Sequence, residues 1–334
     1  MTEPQIPPVG RFAPTPSARL HLGNLMCAMV AWLSVKSRGG KLLLRVEDLD
    51  AARCPYMGEN TKWMLDDLAY LGITFDGETL YQSKRFPIYE IYFNRLRDMG
   101  LLYPCYCSRA ELHAASAPHL SDGQVLYDRR CLRRLLSGAP APTERTPAWR
   151  VRVPDETITV HDLLAGDYTE NLERDCSDFV VRRSDGVYAY QLAVVVDDGL
   201  SGVSEIVRGN DLLSSTPRQI WLQRLFGFPT PEYLHIPLLT DAAGRRLSKR
   251  DGDGCMERVR KCYPSPEPVI GALAAALNLI PEPQPITCRR SCLISTKIAC
   301  LPQPSLYLTA FDKISPLLKY IFSKMEFLRL KLEY

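Results

Sequence analysis

Several features are scarce in this sequence of 334 residues, and each scarcity argues against a class of protein. No apolar run is long enough to span a bilayer, which argues against a membrane protein. Residues 1–10 lack the basic start and apolar core of a signal peptide, so we expect a cytoplasmic chain with no membrane partner. Net charge is also low, because Lys+Arg 41 against Asp+Glu 38 leaves +3, and nucleic-acid binding would therefore need a local basic patch.

Glycine motifs that bind phosphate are missing as well. Residues 39–41 lack the earlier glycine and the following Ser or Thr of a P-loop, and no G-x-G-x-x-G follows the first predicted strand. Hydrophobic residues at 46% and charged residues at 24% are typical of a globular chain and exclude a disordered one. The sequence has 11 cysteines, which would suggest disulfides in a secreted protein. In a reducing compartment, clustered cysteines are better interpreted as metal ligands.

The first fifty residues predict a βαβ unit. A short strand ends near Ala13, a helix opens at residues 21–24 and ends near Ser37, and residues 42–46 form a nearly continuous apolar strand. Such a strand is typical of a parallel sheet covered on both faces. We therefore predict an α/β protein with a Rossmann-type, doubly wound parallel sheet.

Further elements continue the pattern along the chain. A short Asp-Gly turn between two strand-like runs predicts a hairpin, and Gly227 ends a helix that opens with Ser215 and Pro217. The predicted elements are helices 61–71 and 85–99, hairpin strands 179–183 and 187–196, a strand end at 206–209, helix 215–227, strand 233–239 and a helical region containing 268–277.

Changes in composition divide the chain. Residues from 104 to about 153 have cysteines, prolines and many arginines but little periodicity, which indicates an inserted subdomain that needs a staple such as a metal. The predicted units are 1–103 and 176–245 as the two halves of the catalytic domain, 104–175 as the inserted zinc-binding subdomain, 246–282 as a loop and small helical region, and 283–334 as a tail without an assigned role.

Two short motifs lie on opposite halves of the predicted sheet. His21 and Asn24 open a helix, where free N–H groups and the helix dipole favour a phosphate, although a histidine there is often only a cap. Lys249 lies in a basic loop after a Gly turn, where it could neutralise charge on a transferring phosphate or form an ordinary solvated turn. Together the two motifs could converge on one triphosphate.

The pairing resembles the two signature motifs of class I aminoacyl-tRNA synthetases, usually written His-Ile-Gly-His and Lys-Met-Ser-Lys-Ser. This sequence departs from them with Asn24 at the fourth position of the first motif and with Arg246 to Arg250 as the second. The surrounding strings are similar to the glutamyl branch over roughly residues 10 to 280. They are RFAPTPS at 11–17, RVEDLD at 45–50, YAYQLA at 188–193 with VDD at 196–198, and VRGNDLL at 207–213.

The resemblance implies how glutamate would be bound. Its carboxylates need a guanidinium fork and its ammonium a buried carboxylate, and the family positions assign Arg11 and Arg208 to the first task and Glu47 to the second. Spacing alone would leave both arginines as ordinary surface residues about as often as not, and Tyr190 as a core residue. The remaining residues that the resemblance implies for glutamate are Phe12, Ala13, Pro14, Thr15 and Tyr190.

The same resemblance places His21, Asn24 and Lys249 on ATP, with His21 and Lys249 as the catalytic residues. Mg²⁺ is expected to accompany ATP through phosphate oxygens rather than in a protein cage.

A cysteine cluster lies in the predicted subdomain. Cys105, Cys107 and Cys131 supply three thiolates with the spacing of a structural zinc site, which leaves one tetrahedral position. The resemblance implies Tyr127 as the fourth ligand, whereas ligand frequencies alone favour His113 or His119. Buried cysteines without a metal are the third interpretation.

Three functions follow from these observations. Within the glutamyl branch the chain is similar to short paralogues without an anticodon-binding domain, which implies tRNA-independent activation of L-glutamate with ATP and transfer to queuosine in tRNA(Asp). The alternatives are a synthetase that charges a tRNA 3′ end, and a catalytically inactive zinc-containing paralogue that binds RNA. A monomer is expected.

Overall fold

The computed structural model describes residues 6–50, 56–114, 126–142, 144–239, 256–277, 279–287 and 307–308. The strands in this part of the chain are β1 Val9–Phe12, β2 Lys41–Val46, β3 Leu80–Tyr81, β4 Leu102–Cys105, β5 Ala148–Val151, β6 Thr157–Asp162, β7 Gly166–Asn171, β8 Phe179–Arg182, β9 Glu205–Gly209, β10 Glu232–Ile236, β11 Leu238–Leu239 and β12 Tyr307–Leu308. The helices are α1 Leu22–Lys36, α2 Met57–Tyr70, α3 Phe86–Asp98, α4 Arg109–Ala114, α5 Arg130–Leu136, α6 Tyr190–Leu200, α7 Thr216–Phe226, α8 Met256–Cys262 and α9 Glu267–Ala276.

A seven-stranded sheet in the order β3-β2-β1-β9-β10-β6-β7 forms the centre of the described structure. Its strands run parallel to their neighbours, apart from β7, which is antiparallel to β6. The chain winds from β1 through β2 to β3 in one direction and from β9 to β10 in the other, which confirms the predicted α/β class. Ligands bind to such sheets at the carboxyl ends of the strands, where the winding reverses. In this sheet that point lies between β1 and β9.

Apolar side chains alternate across the sheet and build one core layer on each face. On β2, Leu42 and Leu44 belong to the layer that contains α1, α2 and α9, whereas Leu43 contacts the layer that contains α3, α6 and α7. Val207 and Ile206 of β9 divide in the same way. Because both faces are covered, the strands are apolar on both sides, as the sequence predicted for β2.

The predicted hairpin at residues 179–196 is wrong in its second half. β8 forms, but the return strand is reduced to a single bridge between Arg182 and Tyr188, and the apolar run that follows is helix α6. Short apolar runs do not distinguish a buried strand from a buried helix. Because α6 is buried from Leu192 to Asp198, around most of its circumference, its sequence has no exposed polar face. The polar face is what would have revealed helical periodicity.

A β6-β7 hairpin within residues 104–175 was not predicted. Along β6 exposed and buried residues alternate strictly, which is the period-two signal of a strand with one covered face. β6 pairs with β10 in the main sheet and β7 forms its edge, while β4, β5 and β8 form a separate antiparallel sheet. The domain boundaries proposed from composition stay a prediction.

Candidate active site

A cavity of about 850 Å³ lies at the carboxyl ends of β1 and β9, where the winding of the sheet reverses. It brings together the predicted glutamate and ATP residues that lie in the described part of the chain. These are Arg11, Phe12, Ala13, Pro14, Thr15, His21, Asn24, Glu47, Tyr190 and Arg208. Lys249, the second predicted catalytic residue, lies outside the described residues.

The floor of the cavity follows from how β1 ends. Proline has no N–H group for a sheet ladder, so the Pro-Thr-Pro sequence after Ala13 releases the chain from the strand. The released loop is still tied to its neighbour, because the N–H of Glu47 donates to the carbonyl oxygen of Pro14 at 3.0 Å. This bond holds Glu47 beside the end of β1.

His21 and Asn24 form a reciprocal cap at the start of α1. The N–H of Gly23 donates to Nδ1 of His21 at 3.1 Å, and the N–H of His21 donates to Oδ1 of Asn24 at 3.2 Å. Because Nδ1 is the acceptor, a neutral His21 carries its ring proton on Nε2. A Cβ on Gly23 would lie 3.0 Å from Cε1 of His21, so the glycine leaves room for this ring. The cap that spacing suggested is present, and it lines the cavity.

Four charged side chains of alternating sign, which we call the charge chain, are in contact in the order Arg11, Asp198, Arg45 and Glu47. Arg11 and Glu47 line the cavity, and Asp198 and Arg45 do not. Nε of Arg11 is 3.3 Å from Oδ1 of Asp198, and the same oxygen is 2.5 Å from Nη1 of Arg45. Nη2 of Arg45 then lies 3.3 Å from Oε1 of Glu47. Each carboxylate of the chain therefore contacts a guanidinium, which is the condition for burying charge in a protein interior.

The charge chain leaves the outer edge of Arg11 available for a ligand. Its Nε donates to Asp198 and its Nη1 donates one bond to the carbonyl oxygen of Val207 at 3.1 Å. Among the described residues, the remaining N–H groups on Nη1 and Nη2 have no acceptor. Charged N–H donors of this kind can bind a carboxylate.

Burial and the neighbouring arginines shift the pKa values of the acidic groups in and behind the cavity wall. Burial raises the pKa of Glu47, although Arg45 and Arg11 oppose this, and burial also raises the pKa of Tyr190. The pKa of Asp198 is lowered instead, since the attraction of Arg45 and Arg11 outweighs burial. Within the charge chain, Asp198 is therefore the permanent negative charge. Glu47 is the acid whose charged form a cationic ligand would stabilise.

Arg208 is held more completely than Arg11. Nε donates to Nε2 of His235 at 2.9 Å and Nη1 to Oε1 of Gln219 at 2.7 Å. Nη2 donates to Oγ1 of Thr216 at 2.8 Å and to the carbonyl oxygen of Leu212 at 3.4 Å. Of its five N–H groups, one on Nη1 has no acceptor among the described residues. Arg208 therefore offers the cavity a single donor, whereas the sequence predicted a two-donor fork.

Sequence reasoning missed the residues that position these groups. Asp198 and Arg45 lay in the quoted strings without a role, and His235 lay unnoticed in an apolar strand. A signal existed for Asp198, because a charged residue inside an apolar run must be paired if the run is buried. Which arginine it pairs with depends on contacts between β1, β2 and α6 that only the fold creates.

The predicted metal-ligating cysteines also come together, in a second candidate site. Sγ atoms of Cys105, Cys107 and Cys131 lie within 4.8 Å of one another, and all three thiols are free. The hydroxyl of Tyr127 is 3.7 Å from Sγ of Cys105 and 3.9 Å from Sγ of Cys107. Ligands at about 2.3 Å around tetrahedral zinc would be about 3.8 Å apart, so this donor set fits such an ion. His119 and the side chain of His113 lie outside the described residues.

The surroundings of the cysteine cluster shift the pKa values of its thiols in opposite directions. Burial alone would raise the pKa of Cys105, but Nε of Arg150 at 3.3 Å from its Sγ brings that pKa below the usual value. Burial and the neighbouring Cys105 raise the pKa of Cys107 to about 12. A divalent cation would reverse this, because thiols that ligate a metal are deprotonated.

Comparison with known proteins agrees with the geometry. Residues 9–277 match the family described as tRNA synthetases class I (E and Q), catalytic domain. A glutamyl-Q tRNA(Asp) synthetase of Neisseria meningitidis serogroup C is 50% identical over 241 residues, which are 72% of this chain and 80% of the relative. One from Thiobacillus denitrificans is 44% identical over 280 residues, which are 80% of this chain and 90% of the relative.

The fold is also found in solved structures. A glutamate tRNA ligase from Elizabethkingia meningosepticum, crystallised with its amino acid, superimposes with a TM-score of 0.71 at 21% identity, covering 97% of this chain and 70% of that chain. In the described part of the present structure, no helix has both the length and the apolar character needed to cross a membrane. The chain belongs to the class I tRNA synthetases of the E and Q group and, within it, to the family of the glutamyl-Q tRNA(Asp) synthetases.

Proposed function

We propose that this enzyme activates glutamate with ATP without needing tRNA and then transfers the glutamyl group to queuosine in the anticodon of tRNA(Asp). Membership of its family makes the chain an ATP-dependent glutamyl ligase that acts on tRNA. The observation that carries the finer proposal is the cavity at the sheet's reversal point, which combines buried arginines, Glu47 and the start of α1. The names of its relatives supply the nucleoside and the tRNA.

Each charged group of glutamate has a partner of opposite charge on the cavity wall. Glu47 takes the ammonium, which favours the ionised carboxylate that burial otherwise disfavours. The unused N–H groups on Nη1 and Nη2 of Arg11 donate to a carboxylate of glutamate. Arg208 contributes one further N–H donor and its positive charge to the binding of the glutamate carboxylates. Tyr190 closes the wall with its phenol. Because Asp198 and Arg45 hold Arg11 and Glu47 before glutamate arrives, binding orders few groups.

Activation requires the α-carboxylate of glutamate to attack the α-phosphorus of ATP, with pyrophosphate leaving. The carboxylate is already a nucleophile, so the enzyme needs to align the reactants and stabilise the charge that develops on phosphate. The start of α1 offers the phosphates a favourable dipole and the side chains of His21 and Asn24, which line the cavity, while its first N–H groups are used in the cap. Lys249 supplies a further positive charge, and Mg²⁺ accompanies ATP through phosphate oxygens.

The cysteine cluster would hold a structural zinc ion, with Cys105, Cys107 and Cys131 as thiolate ligands and Tyr127 as the fourth. The ion would connect β4 to α5, two elements that share only a small apolar core. It would therefore stabilise this part of the chain and take no part in the chemistry.

The test separates activation from transfer. Activation is measured as glutamate-dependent ATP–pyrophosphate exchange, with and without tRNA, and the variant Lys249→Ala is expected to lose exchange while keeping its zinc. Transfer is measured with labelled glutamate on two substrates: queuosine-containing tRNA(Asp) that lacks its 3′-terminal adenosine, and queuosine-free tRNA(Asp) with an intact 3′ end.

Exchange without tRNA, and labelling of the first substrate but not the second, is the expected result. Exchange that requires tRNA, with labelling of the intact 3′ end, would instead identify a synthetase that charges tRNA. Absence of exchange and of ATP binding in zinc-loaded protein would leave an inactive RNA-binding paralogue.

A further inference from the structure

We propose that His235, backed by Asp162, is a positioning residue that fixes the direction in which Arg208 presents its one available N–H group to glutamate. The inference rests on the proposed function of the cavity, since it concerns how glutamate is recognised there. His235 does not line the cavity, and its Nε2 contacts Arg208 and, at 3.3 Å, Oγ1 of Thr216, which also holds Arg208. It therefore acts on the cavity through Arg208.

The three side chains form a line from the edge of the sheet towards the cavity. Asp162 ends β6 and His235 lies in the adjacent β10, while Arg208 lies in β9 on the other side of β10. Oδ2 of Asp162 is 2.6 Å from Nδ1 of His235, and Nε2 of His235 is 2.9 Å from Nε of Arg208. The side chains of Asp162 and His235 are both 0% exposed, so water does not compete for these bonds.

The bond to arginine determines the tautomer of the histidine. The Nε–H of arginine can only donate, so Nε2 of His235 must be the acceptor. The ring proton is then on Nδ1, where it is donated to Asp162. Burial lowers the pKa of His235 to about 4, which keeps the ring neutral and the acceptor available at physiological pH. Asp162 is itself fixed by the backbone N–H groups of Leu164 and Ala165 at 3.0 and 2.7 Å.

The contact with His235 orients the whole guanidinium. Gln219 and Thr216 hold the Nη atoms from the side of α7, and His235 holds Nε from β10. A planar group bonded at three nitrogens has one orientation, so the remaining N–H on Nη1 has one direction. Without the acceptor at Nε2, the guanidinium could turn about the bonds to α7, and the donor would move away from the carboxylate of glutamate.

Two substitutions of His235 test the acceptor. His235→Gln puts an amide oxygen where Nε2 lies and should keep the KM for glutamate within about threefold of the wild type. His235→Leu has similar size but no acceptor, and it should raise the KM for glutamate about 10- to 100-fold with an unchanged KM for ATP. His161→Leu is the matched control, because His161 also bonds an aspartate, Asp167 at 2.8 Å, but is exposed on the surface of the β6-β7 hairpin. It should leave both constants unchanged.

Asp162→Asn tests the tautomer. Its amide N–H would face Nδ1, so the ring proton would move to Nε2 and oppose the Nε–H of Arg208. We expect a rise in the KM for glutamate similar to that of His235→Leu, in a protein with wild-type circular dichroism. Spectra of ¹⁵N-histidine-labelled protein report the proton position, and the signal lost in His235→Gln identifies His235. The expected wild-type signal is a neutral ring protonated at Nδ1.

A wild-type ring protonated at Nε2, or a wild-type KM for glutamate in both His235→Leu and Asp162→Asn, would overturn the inference. Calorimetric titration with glutamate distinguishes it from the proposed function. If the wild type binds glutamate and His235→Leu binds it more weakly, but the wild type shows no exchange, activation would be refuted and the positioning role of His235 would stand. Wild-type protein that binds no glutamate would refute both.

Discussion

Replacing Asp198 by asparagine removes the negative charge on which two buried arginines depend. The side chain of Asp198 is 4% exposed and contacts Arg11 at 3.3 Å and Arg45 at 2.5 Å, so neither guanidinium can recover its water shell. Removing one partner of a buried ion pair costs about 3–5 kcal/mol. We expect Asp198→Asn to lower the free energy of unfolding by about that amount, measured by urea unfolding with circular dichroism at pH 7.

The pH dependence of this loss follows from the lowered pKa of Asp198. A carboxyl whose pKa is lower in the folded state stabilises the fold above its unfolded pKa of about 3.9, and this stabilisation disappears as the pH falls through the folded value. The difference between wild type and Asp198→Asn should therefore be constant near neutral pH and shrink below about pH 4.

The matched control is Asp98→Asn. Asp98 lies 3.7 Å from Nε of Arg97, but its side chain is 72% exposed, and an exposed pair contributes about 0.5 kcal/mol or less. A loss in Asp198→Asn no larger than that of the control would refute the charge chain as a stabilising element. A difference in the free energy of unfolding between wild type and Asp198→Asn that increases below about pH 4 would refute it as well.

Three further outcomes are expected. Because burial raises the pKa of Glu47, kcat/KM for glutamate should fall on acidification at a pH above 4.5, and Glu47→Gln should have low activity without this pH dependence. Gly23→Ala should raise the KM for ATP about tenfold by displacing the ring of His21, with glutamate binding by calorimetry unchanged. Tyr127→Phe should release zinc to a chelator faster than wild type, whereas an equal rate of release would favour a histidine as fourth ligand.

Local patterns in the sequence predicted most of the framework. The βαβ unit, the Pro-terminated strand β1, the capped start of α1 and helix α7 follow from apolar periodicity and from residues with strong backbone preferences, which act over a few positions. The α/β class follows from the order of these elements. The same local reasoning failed at α6, because a helix buried almost all round has no polar face, and it overlooked the alternating pattern of β6.

The predicted glutamate and ATP residues were named from motif strings, and the structure brings together those in its described part. Their partners could not be predicted, because buried charges must be paired but sequence spacing does not say with which residue. Asp198 lies 187 residues from Arg11 and 153 from Arg45, and His235 lies 27 from Arg208. Sequence determined which chemical groups are present at the ends of the strands. Tertiary structure decided which of their N–H groups are used to hold the site together and which remain for a ligand, because only the packing of α6, α7 and β10 against the sheet sets those distances.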